Sequence, residues 1–127
     1  MKANDEKLHH ICVTWRNSDG QWNLYKDGEL AKEGTDLKTQ YTIQAGGSLV
    51  LGQEQDKVGG GFDASQSLLG TLINVNVWSY VLPPSTIKEM SKCCLAGKGD
   101  VYGWADFIYG IKGYPRLVMP AGCSYCF

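Results

Sequence analysis

The sequence predicts an all-β domain built as an antiparallel two-sheet sandwich with one short helix. Runs of β-branched and aromatic residues follow one another at close spacing, glycine-rich turn signals separate them, and a single segment has the composition of a helix. Many short strands with regular turns and one small helix are typical of two-sheet antiparallel sandwiches. Periodicity alone does not choose among immunoglobulin-like, jelly-roll and other sandwiches.

The first two strands are predicted to form a β-hairpin. Residues 9–15 (HHICVTW) and 21–27 (QWNLYKD) are rich in β-branched and aromatic side chains. Asn17-Ser18-Asp19-Gly20 separates them, and Asp-Gly is a strong signal for a tight turn. A second Asp-Gly at Asp27-Gly28 predicts that the chain turns again before the polar stretch 32–40.

Further strands are predicted along the rest of the chain. Residues 68–80 (LLGTLINVNVWSY) alternate apolar and polar side chains, which indicates a half-buried strand. Pro83-Pro84-Ser85 followed by 86–90 predicts the one helix, with proline in its first turn. The other predicted strands are 41–43, 48–52, 101–104, 107–111 and 116–119.

Composition limits the function. The 127 residues have the length of one domain, and no apolar run is long enough to cross a bilayer. The net charge is −1 with scattered basic residues, which argues against nucleic-acid partners and membrane insertion. Five cysteines in a short chain point to an oxidising compartment. Because Met1–Lys7 is polar and does not resemble a signal peptide, we expect a secreted or cell-surface chain whose signal lies outside this sequence.

A polar, glycine-rich loop at residues 53–67 is the candidate site. Long ordered loops of this kind are usually functional. Calcium prefers six to eight oxygen ligands from carboxylates, amides and backbone carbonyls. The loop offers such oxygens within thirteen residues, and its glycines allow the backbone to fold back so that both limbs converge. The alternative is an exposed acidic loop that binds nothing. The candidate metal ligands are Glu54, Gln55, Asp56, Asp63 and Gln66.

Four ordered blocks carry a resemblance to a known family. His10, Cys12, Thr14 and Trp15 occur at the spacing H-x-C-x-[ST]-W, and three later blocks follow at matching intervals. Together they resemble the pentraxin family, in the style of neuronal pentraxins and of the pentraxin-like domains of adhesion receptors. The resemblance implies that residues 1–127 form a single pentraxin-like, concanavalin-like jelly roll that lacks the N-terminal strands of the full domain. The later blocks are 49–56 (LVLGQEQD), 59–66 (GGGFDASQ) and Gly70 with 75–78 (VNVW).

The same resemblance implies roles for the loop residues. Glu54 and Asp56 would supply carboxylate oxygens, and Gln55 would supply its backbone carbonyl. Asp63 and Gln66 would complete the site from the far limb, with Asp63 belonging to a second ion. A further Asp-Asn ligand pair belongs to the first half of the family's domain and is absent from this sequence.

The implied function is calcium-dependent extracellular binding. In the family pattern, bound Ca2+ grips an anionic group of a small ligand or glycan, such as a phosphate, a carboxylate or an acidic sugar. The alternative is a calcium-independent structural or adhesion module of a larger receptor or oligomer, which recognises an extracellular protein. Both readings are compatible with a homo-oligomer. No nucleophile elbow, Ser-His-Asp order or phosphate-binding loop is found, so we expect no enzymatic activity.

The cysteines are expected to form disulfides, but their connectivity does not follow from sequence. The resemblance implies a disulfide from Cys12 to a cysteine outside this chain, so within this chain Cys12 is expected to be a buried free thiol. The same resemblance implies that Cys93 or Cys94 pairs with Cys123, which leaves Cys126 for the other cysteine or for a neighbouring subunit. A zinc site made by these last four cysteines is the alternative, although adjacent cysteines are an unusual ligand pattern.

The histidines and tryptophans have structural and functional interpretations. His9 and His10 could be metal ligands or catalytic groups, but His10 is expected to be a strand residue whose ring makes a satisfied hydrogen bond. The four tryptophans could stack on sugars, but three lie inside apolar strand runs, and we expect them to pack in the core.

Overall fold

The computed structural model describes residues 2–118. The chain forms two compact units, one from the residues up to Gln40 together with those from Ile73 onward, and one from Tyr41–Leu72. The first unit contains the sheet and the α-helix. The regular elements are β1 (Ile11–Arg16), β2 (Gln21–Lys26), β3 (Glu29–Gly34), a 3-10 helix (Ala64–Gln66), α1 (Pro84–Met90) and a second 3-10 helix (Trp104–Gly110).

The predicted hairpin is confirmed. β1 and β2 pair antiparallel from Ile11 opposite Lys26 to Arg16 opposite Gln21. At the turn, Asp19 accepts a hydrogen bond from the Gln21 amide at 3.1 Å, and Arg16 Nη2 donates to Asp19 Oδ2 at 2.6 Å. The Arg16 hydrogen bonds, followed by that amide, lower the pKa of Asp19 to about 2. The turn aspartate therefore stays ionised and holds the hairpin end across the physiological pH range.

The second Asp-Gly also makes a tight turn, and it is followed by a strand that the sequence pattern does not predict. Asp27 and Gly28 both adopt positive φ, +53° and +82°, as in the two-residue turns that match strand twist. β3 then pairs antiparallel with β2 in the sheet order β1-β2-β3. Its sequence, ELAKEG, has no apolar alternation and is mostly exposed. Charged edge strands of this type are stabilised by pairing and not by burial, so periodicity does not reveal them.

The core of the first unit lies where α1 meets the sheet. Tyr25, Leu82 and Ile87 are buried, with exposed fractions of 4%, 6% and 0%, and they are the buried apolar residues of the described chain. Cys12, Trp78 and Met90 pack against them while partly exposed. Cys12 and Trp78 thereby connect β1 and the segment before α1 to the same small core.

The predicted helix is confirmed as α1. Pro84 occupies the first turn, where a missing amide costs nothing, and the Ile87 amide donates to the Pro83 carbonyl at 3.1 Å. Lys88 Nζ bonds Glu29 Oε1 of β3 at 2.7 Å. A side chain on α1 thus bonds the start of β3.

The described residues contain one three-stranded sheet, so the two-sheet jelly roll stays a prediction. Along β1, Cys12 and Thr14 are half-buried or buried, while Ile11 and Val13 are 44% and 64% exposed. This alternation of buried and exposed side chains is typical of a strand with one face packed against the core and the other in solvent. Tyr25 of β2 belongs to the covered side, together with α1.

The later strand predictions are wrong for the described residues, because a strand needs a hydrogen-bonded partner as well as a suitable pattern. Only isolated bridges form, Gln53 with Ser67 and Val77 with Tyr102 among them. Within 68–80, Asn74 has φ +53°, a left-handed conformation that interrupts an extended run. The segments without strand structure are 41–43, 48–52, 68–80, 101–104, 107–111 and the described part of 116–119.

Residues 107–110 of the predicted strand 107–111 belong to the 3-10 helix Trp104–Gly110. Asp106 accepts a hydrogen bond from the Gly103 amide at 2.7 Å, which satisfies a donor at the start of this helix. Phe107 lies 6.0 Å from the ring of Tyr102 and 6.2 Å from the ring of Trp104. This local capping and ring packing outweigh the β propensity of the aromatic residues.

The segment from Asn74 to Tyr102 is connected by polar contacts. Asn74 Nδ2 donates to the Ala96 carbonyl at 2.8 Å, and Asn76 Oδ1 accepts from the Gly99 amide at 3.0 Å. Around the bridge, the Val77 amide donates to the Tyr102 carbonyl at 2.8 Å. These bonds hold Gly99 against the backbone of Val77 and Tyr102.

Candidate functional site

The loop 53–67 is closed at its base. Gln53 and Ser67 form an antiparallel bridge, and the Leu68 amide donates to the Gly52 carbonyl at 2.9 Å. The two ends of the loop therefore leave and return at the same place, within the compact unit Tyr41–Leu72. A closed base fixes the spacing between the two limbs that carry the candidate ligands.

The tip of the loop is closed by glycine. The Gly60 amide donates to the Lys57 carbonyl at 2.9 Å, and the Lys57 amide donates to the Gly60 carbonyl at 3.3 Å. Gly59 and Gly61 have φ of +67° and +74°, which side chains rarely tolerate. A Cβ on Gly61 would lie 2.8 Å from the Cβ of Asp56, closer than side chains approach. The two limbs thus touch at Asp56, and only glycine fits opposite it.

The second limb holds one carboxylate in a fixed position. Asp63 Oδ1 accepts hydrogen bonds from the Ser65 amide at 2.8 Å and from the Ser65 hydroxyl at 2.7 Å. The hydroxyl bond, followed by the amide bond, lowers the pKa of Asp63. Asp63 therefore caps the 3-10 helix Ala64–Gln66 as an ionised group, and Oδ2 takes no part in these bonds.

The first limb is held by an amide side chain. Gln55 Oε1 accepts from the Gly59 amide at 2.8 Å, and Gln55 Nε2 donates to the Ser48 carbonyl at 2.8 Å. These bonds fix the backbone between Glu54 and Asp56, whose carboxylates are exposed and make no hydrogen bond or ion pair with the described residues.

A buried oxygen at the base lies outside the ligand set predicted from sequence. Gln53 Oε1 is buried and has no hydrogen-bond partner among the described residues. A buried acceptor of this kind requires a partner to offset its desolvation. The only signal for it in the sequence is an amide side chain placed directly after Gly52, where the strand-like run ends and the loop begins.

The loop brings the limbs together, but it does not gather the three carboxylates. Across residues 2–118, no group of three or more His, Cys, Asp or Glu side chains is positioned to hold a metal ion. The donor set itself consists of oxygens only, which fits a hard cation such as calcium and not a soft one. The ligand roles of Glu54, Asp56, Asp63 and Gln66 therefore stay predictions.

The signature residues lie at the start of the sheet. His10 precedes β1 and does not lie in a strand, and its Nδ1 is buried without a partner among the described residues. The expected satisfied ring hydrogen bond is therefore wrong for that nitrogen, and burial lowers the pKa of His10. Thr14 is 8% exposed, and Trp15 Nε1 donates to the Leu37 carbonyl at 2.7 Å. The two strand residues hold β1 in place.

The cysteines follow the prediction in part. Cys12 is a free, half-buried thiol, and burial raises its pKa, so it is a packing residue here. Cys93 and Cys94 are half-buried and are not free thiols. Cys123 and Cys126 lie outside the described residues, so the expected pairing and the zinc alternative stay predictions.

The tryptophans are half-buried, and none belongs to the fully buried core. Trp78 packs against the core, and Trp22 lies against Gly34, where a Cβ would approach its Nε1 to 2.6 Å. The expected core packing therefore holds in part for Trp78, which packs at the edge of the core.

Among the described residues, no helix combines the length and apolar character needed to cross a membrane.

Comparison with known proteins decides the family. The profile described as the Pentaxin family matches residues 1–119. The chain belongs to the pentraxin family. This confirms the resemblance carried by His10, Cys12, Thr14 and Trp15 and by the later blocks. The pentraxin match covers both the hairpin and the candidate calcium loop.

Three relatives of this pentraxin-family chain illustrate the match. "Sushi, von Willebrand factor type A, EGF and pentraxin domain-containing protein 1" of Rattus norvegicus is 45% identical over 127 residues, which cover 98% of this chain and 4% of that protein. Neuronal pentraxin-2 of Cavia porcellus is 45% identical over 104 residues, 82% of this chain and 24% of that protein. Neuronal pentraxin-1 of Homo sapiens is 45% identical over 111 residues, 87% and 26% respectively. The chain spans about a quarter of the neuronal pentraxins and much less of the multidomain relative.

Proposed function

We propose that this pentraxin-family chain is a non-enzymatic, extracellular recognition module whose loop 53–67 binds calcium and, through it, an anionic ligand. The observation that carries the proposal is the closed loop itself. Its base and tip are fixed by backbone hydrogen bonds, and Gly61 brings its second limb against Asp56 of its first. A loop of irregular structure is rarely held this tightly unless its side chains have a task.

The charges of the loop supply the reason for a cation. Glu54 and Asp56 on one limb are exposed and unbonded among the described residues, and Asp63 on the other is kept ionised by Ser65. Like charges on two touching limbs repel one another, and a divalent cation between them reverses that interaction. We expect calcium to draw the flexible side chains of Glu54 and Asp56 toward the fixed limb.

The roles of the other proposed calcium ligands follow from the hydrogen bonds that their side chains make. The amide of Gln55 is engaged with Ser48 and Gly59, so Gln55 would contribute its backbone carbonyl. Gln66 would complete the site from the second limb, and Asp63 would serve a second ion. A bound calcium ion presents concentrated positive charge to a phosphate, a carboxylate or an acidic glycan.

The remaining features of the proposal follow from family membership. The relatives include proteins named as pentraxins and a multidomain pentraxin-containing protein. We propose secretion or display on the cell surface, the two-sheet jelly roll for the complete domain, and homo-oligomers. We also propose that Cys93 and Cys94 pair with Cys123 and Cys126, since neither of the first two is a free thiol.

One observation favours the alternative, a calcium-independent structural or adhesion module. The carboxylates of Glu54, Asp56 and Asp63 are not gathered at metal-binding distance. If their repulsion is tolerated in solvent, the loop could contact an extracellular protein directly. Calcium titration separates the two functions.

Asp56→Asn is expected to weaken calcium binding at least about tenfold, roughly 1.4 kcal/mol, because calcium affinity follows the number of charged ligands. Isothermal titration calorimetry of the chain with calcium measures the effect. Glu33→Gln is the matched control, since Glu33 is an exposed carboxylate in β3 outside the loop. The calcium affinity of the Glu33→Gln variant should equal that of the unmodified chain. Absence of calcium binding by the unmodified chain, or equal losses in both variants, would favour the calcium-independent module.

A further inference from the structure

The ring of His9 lies between two carboxylates. His9 Nδ1 is 2.8 Å from Asp27 Oδ2, and His9 Nε2 is 2.9 Å from Asp5 Oδ1. The His9 side chain is 13% exposed, whereas the side chains of Asp5 and Asp27 are 45% and 49% exposed. Both nitrogens of one imidazole are therefore committed to acidic partners, from two different parts of the chain.

The two partners connect the N-terminal segment to the sheet. Asp27 begins the turn between β2 and β3, where its amide donates to the His10 carbonyl at 2.8 Å and its Oδ1 accepts from the His10 amide at 2.9 Å. Asp5 belongs to the segment 2–8, which has no regular secondary structure. The segment has one further tie to the sheet, from Lys26 Nζ to the Lys2 carbonyl at 2.6 Å.

The protonation state of His9 decides whether both contacts are attractive. An ionised carboxylate accepts hydrogen bonds but cannot donate them, and a neutral imidazole carries only one N–H. Neutral His9 can therefore bond one carboxylate, while its other nitrogen turns a lone pair toward the second. The imidazolium form donates to both, and each bond is then charge-assisted.

We propose that Asp5, His9 and Asp27 form a pH-sensitive latch that fastens the N-terminal segment 2–8 to the β2–β3 turn when His9 is protonated. Deprotonation leaves one N–H to serve two carboxylates, so the bridge from Asp5 through His9 to Asp27 is broken whichever of the two bonds is lost. Asp27 stays tied to the backbone of His10 in either state. The sheet is thus expected to remain intact while the segment moves.

The pKa directions agree with this geometry. The hydrogen bond to Asp5, then that to Asp27, raises the pKa of His9 above its ordinary 6.5. The His9 bond lowers the pKa of Asp5. Partial burial acts to raise the pKa of Asp27, but the hydrogen bonds from His9 and the His10 amide outweigh it and lower that pKa.

The pH range in which the latch is closed follows from the directions of these pKa shifts. A group with a raised pKa contributes its full stabilisation below the ordinary value and loses it as the pH rises through the folded value. The latch is therefore closed at pH 6.5 and somewhat below, and it opens above the raised pKa of His9. It also opens in strong acid, when Asp5 and Asp27 protonate below 3.8. Burial lowers the pKa of the neighbouring His10, so His10 does not reverse the sign.

Backbone 15N relaxation of the 127-residue chain tests the latch. At a pH of about 5.5, order parameters of residues 3–8 should approach those of rigid backbone, about 0.85, and at a pH of about 8.5 they should fall below about 0.6. His9→Gln should give low values at both pH values. Asp5→Asn should lower the order of the segment and shift the midpoint of the His9 titration downward.

Glu6→Gln is the matched control, because Glu6 is an exposed carboxylate of the same segment that takes no part in the latch. It should retain the pH response and the His9 midpoint of the unmodified chain. Order parameters of residues 3–8 that are equal at both pH values would overturn the proposal. So would an effect of Glu6→Gln as large as that of Asp5→Asn.

Discussion

Ile87→Ala is expected to lower the free energy of unfolding by about 3 kcal/mol, within the range for large-to-small changes at buried positions. Ile87 is fully buried, with 0% exposure, and Tyr25 and Leu82 are the other buried apolar residues of the described chain. A cavity at Ile87 therefore removes a central part of a small core, and little neighbouring apolar structure is available to fill it. Since domains are stable by only about 5–15 kcal/mol, a loss of this size is severe.

Equilibrium urea unfolding followed by tryptophan fluorescence measures the loss. Ile108→Ala is the matched control, because Ile108 is the same residue type at 61% exposure. We expect a change within about 0.5 kcal/mol for the control, as for other surface substitutions. Similar losses in the two variants would show that the packing of α1 against the sheet does not stabilise the chain.

Gly99→Ala is expected to destabilise the chain by about 3 kcal/mol, at the upper end of the range for overpacking. A Cβ on Gly99 would lie 2.1 Å from the carbonyl oxygen of Tyr102 and 2.4 Å from that of Val77. Both contacts are with backbone, which cannot rotate away as a side chain can. The added methyl group would separate Val77 from Tyr102 and break the hydrogen bonds of their bridge.

Gly110→Ala is the control for Gly99→Ala, because a Cβ on Gly110 has no neighbour within 4 Å. Urea unfolding should show a change within about 0.5 kcal/mol for Gly110→Ala. Amide exchange at Val77 and Tyr102 should accelerate in Gly99→Ala alone. Unchanged stability and exchange in Gly99→Ala would contradict the close approach of these backbones.

The hairpin and the helix could be predicted because their signals are local. Asp19-Gly20 fixes the first turn, and Asp27-Gly28 fixes the second through two successive positive φ angles. Pro84 marks the first turn of α1, and an apolar residue at position 87 faces the core. In each case the residues that determine the conformation are the residues that adopt it.

The missed strand β3 and the strands predicted wrongly have a different origin, because strand pairing depends on residues distant in the sequence. Glu29–Gly34 has no apolar pattern, yet it forms β3 because the turn delivers it to the edge of β2. Residues 68–80 have the right alternation, but they find no ladder partner, and Asn74 breaks the extended run. At 104–110, Asp106 caps a 3-10 helix that the aromatic composition conceals.

The sequence predicts the candidate site as a loop, but it does not predict how the side chains of the loop are arranged. Its limits, its glycine hinge and its oxygen-rich composition are evident in residues 53–67, and the structure closes this loop at Gln53 and Ser67. The buried oxygen of Gln53 could not be predicted, because burial depends on the fold around it. In the proposed site, the positions of Glu54 and Asp56 would depend on a bound cation, which sequence cannot place.

Chemical-shift mapping tests the proposed calcium site in loop 53–67 most directly. We would record 15N–1H spectra of the chain with a chelator and then with calcium at about 10 mM, above the 10⁻⁴–10⁻³ M at which extracellular calcium modules bind. The largest amide shifts should fall within residues 53–67 and saturate, while β1, β2 and β3 remain unchanged. Spectra that do not respond to calcium, or that respond mainly outside the loop, would contradict a calcium site at Glu54, Asp56 and Asp63.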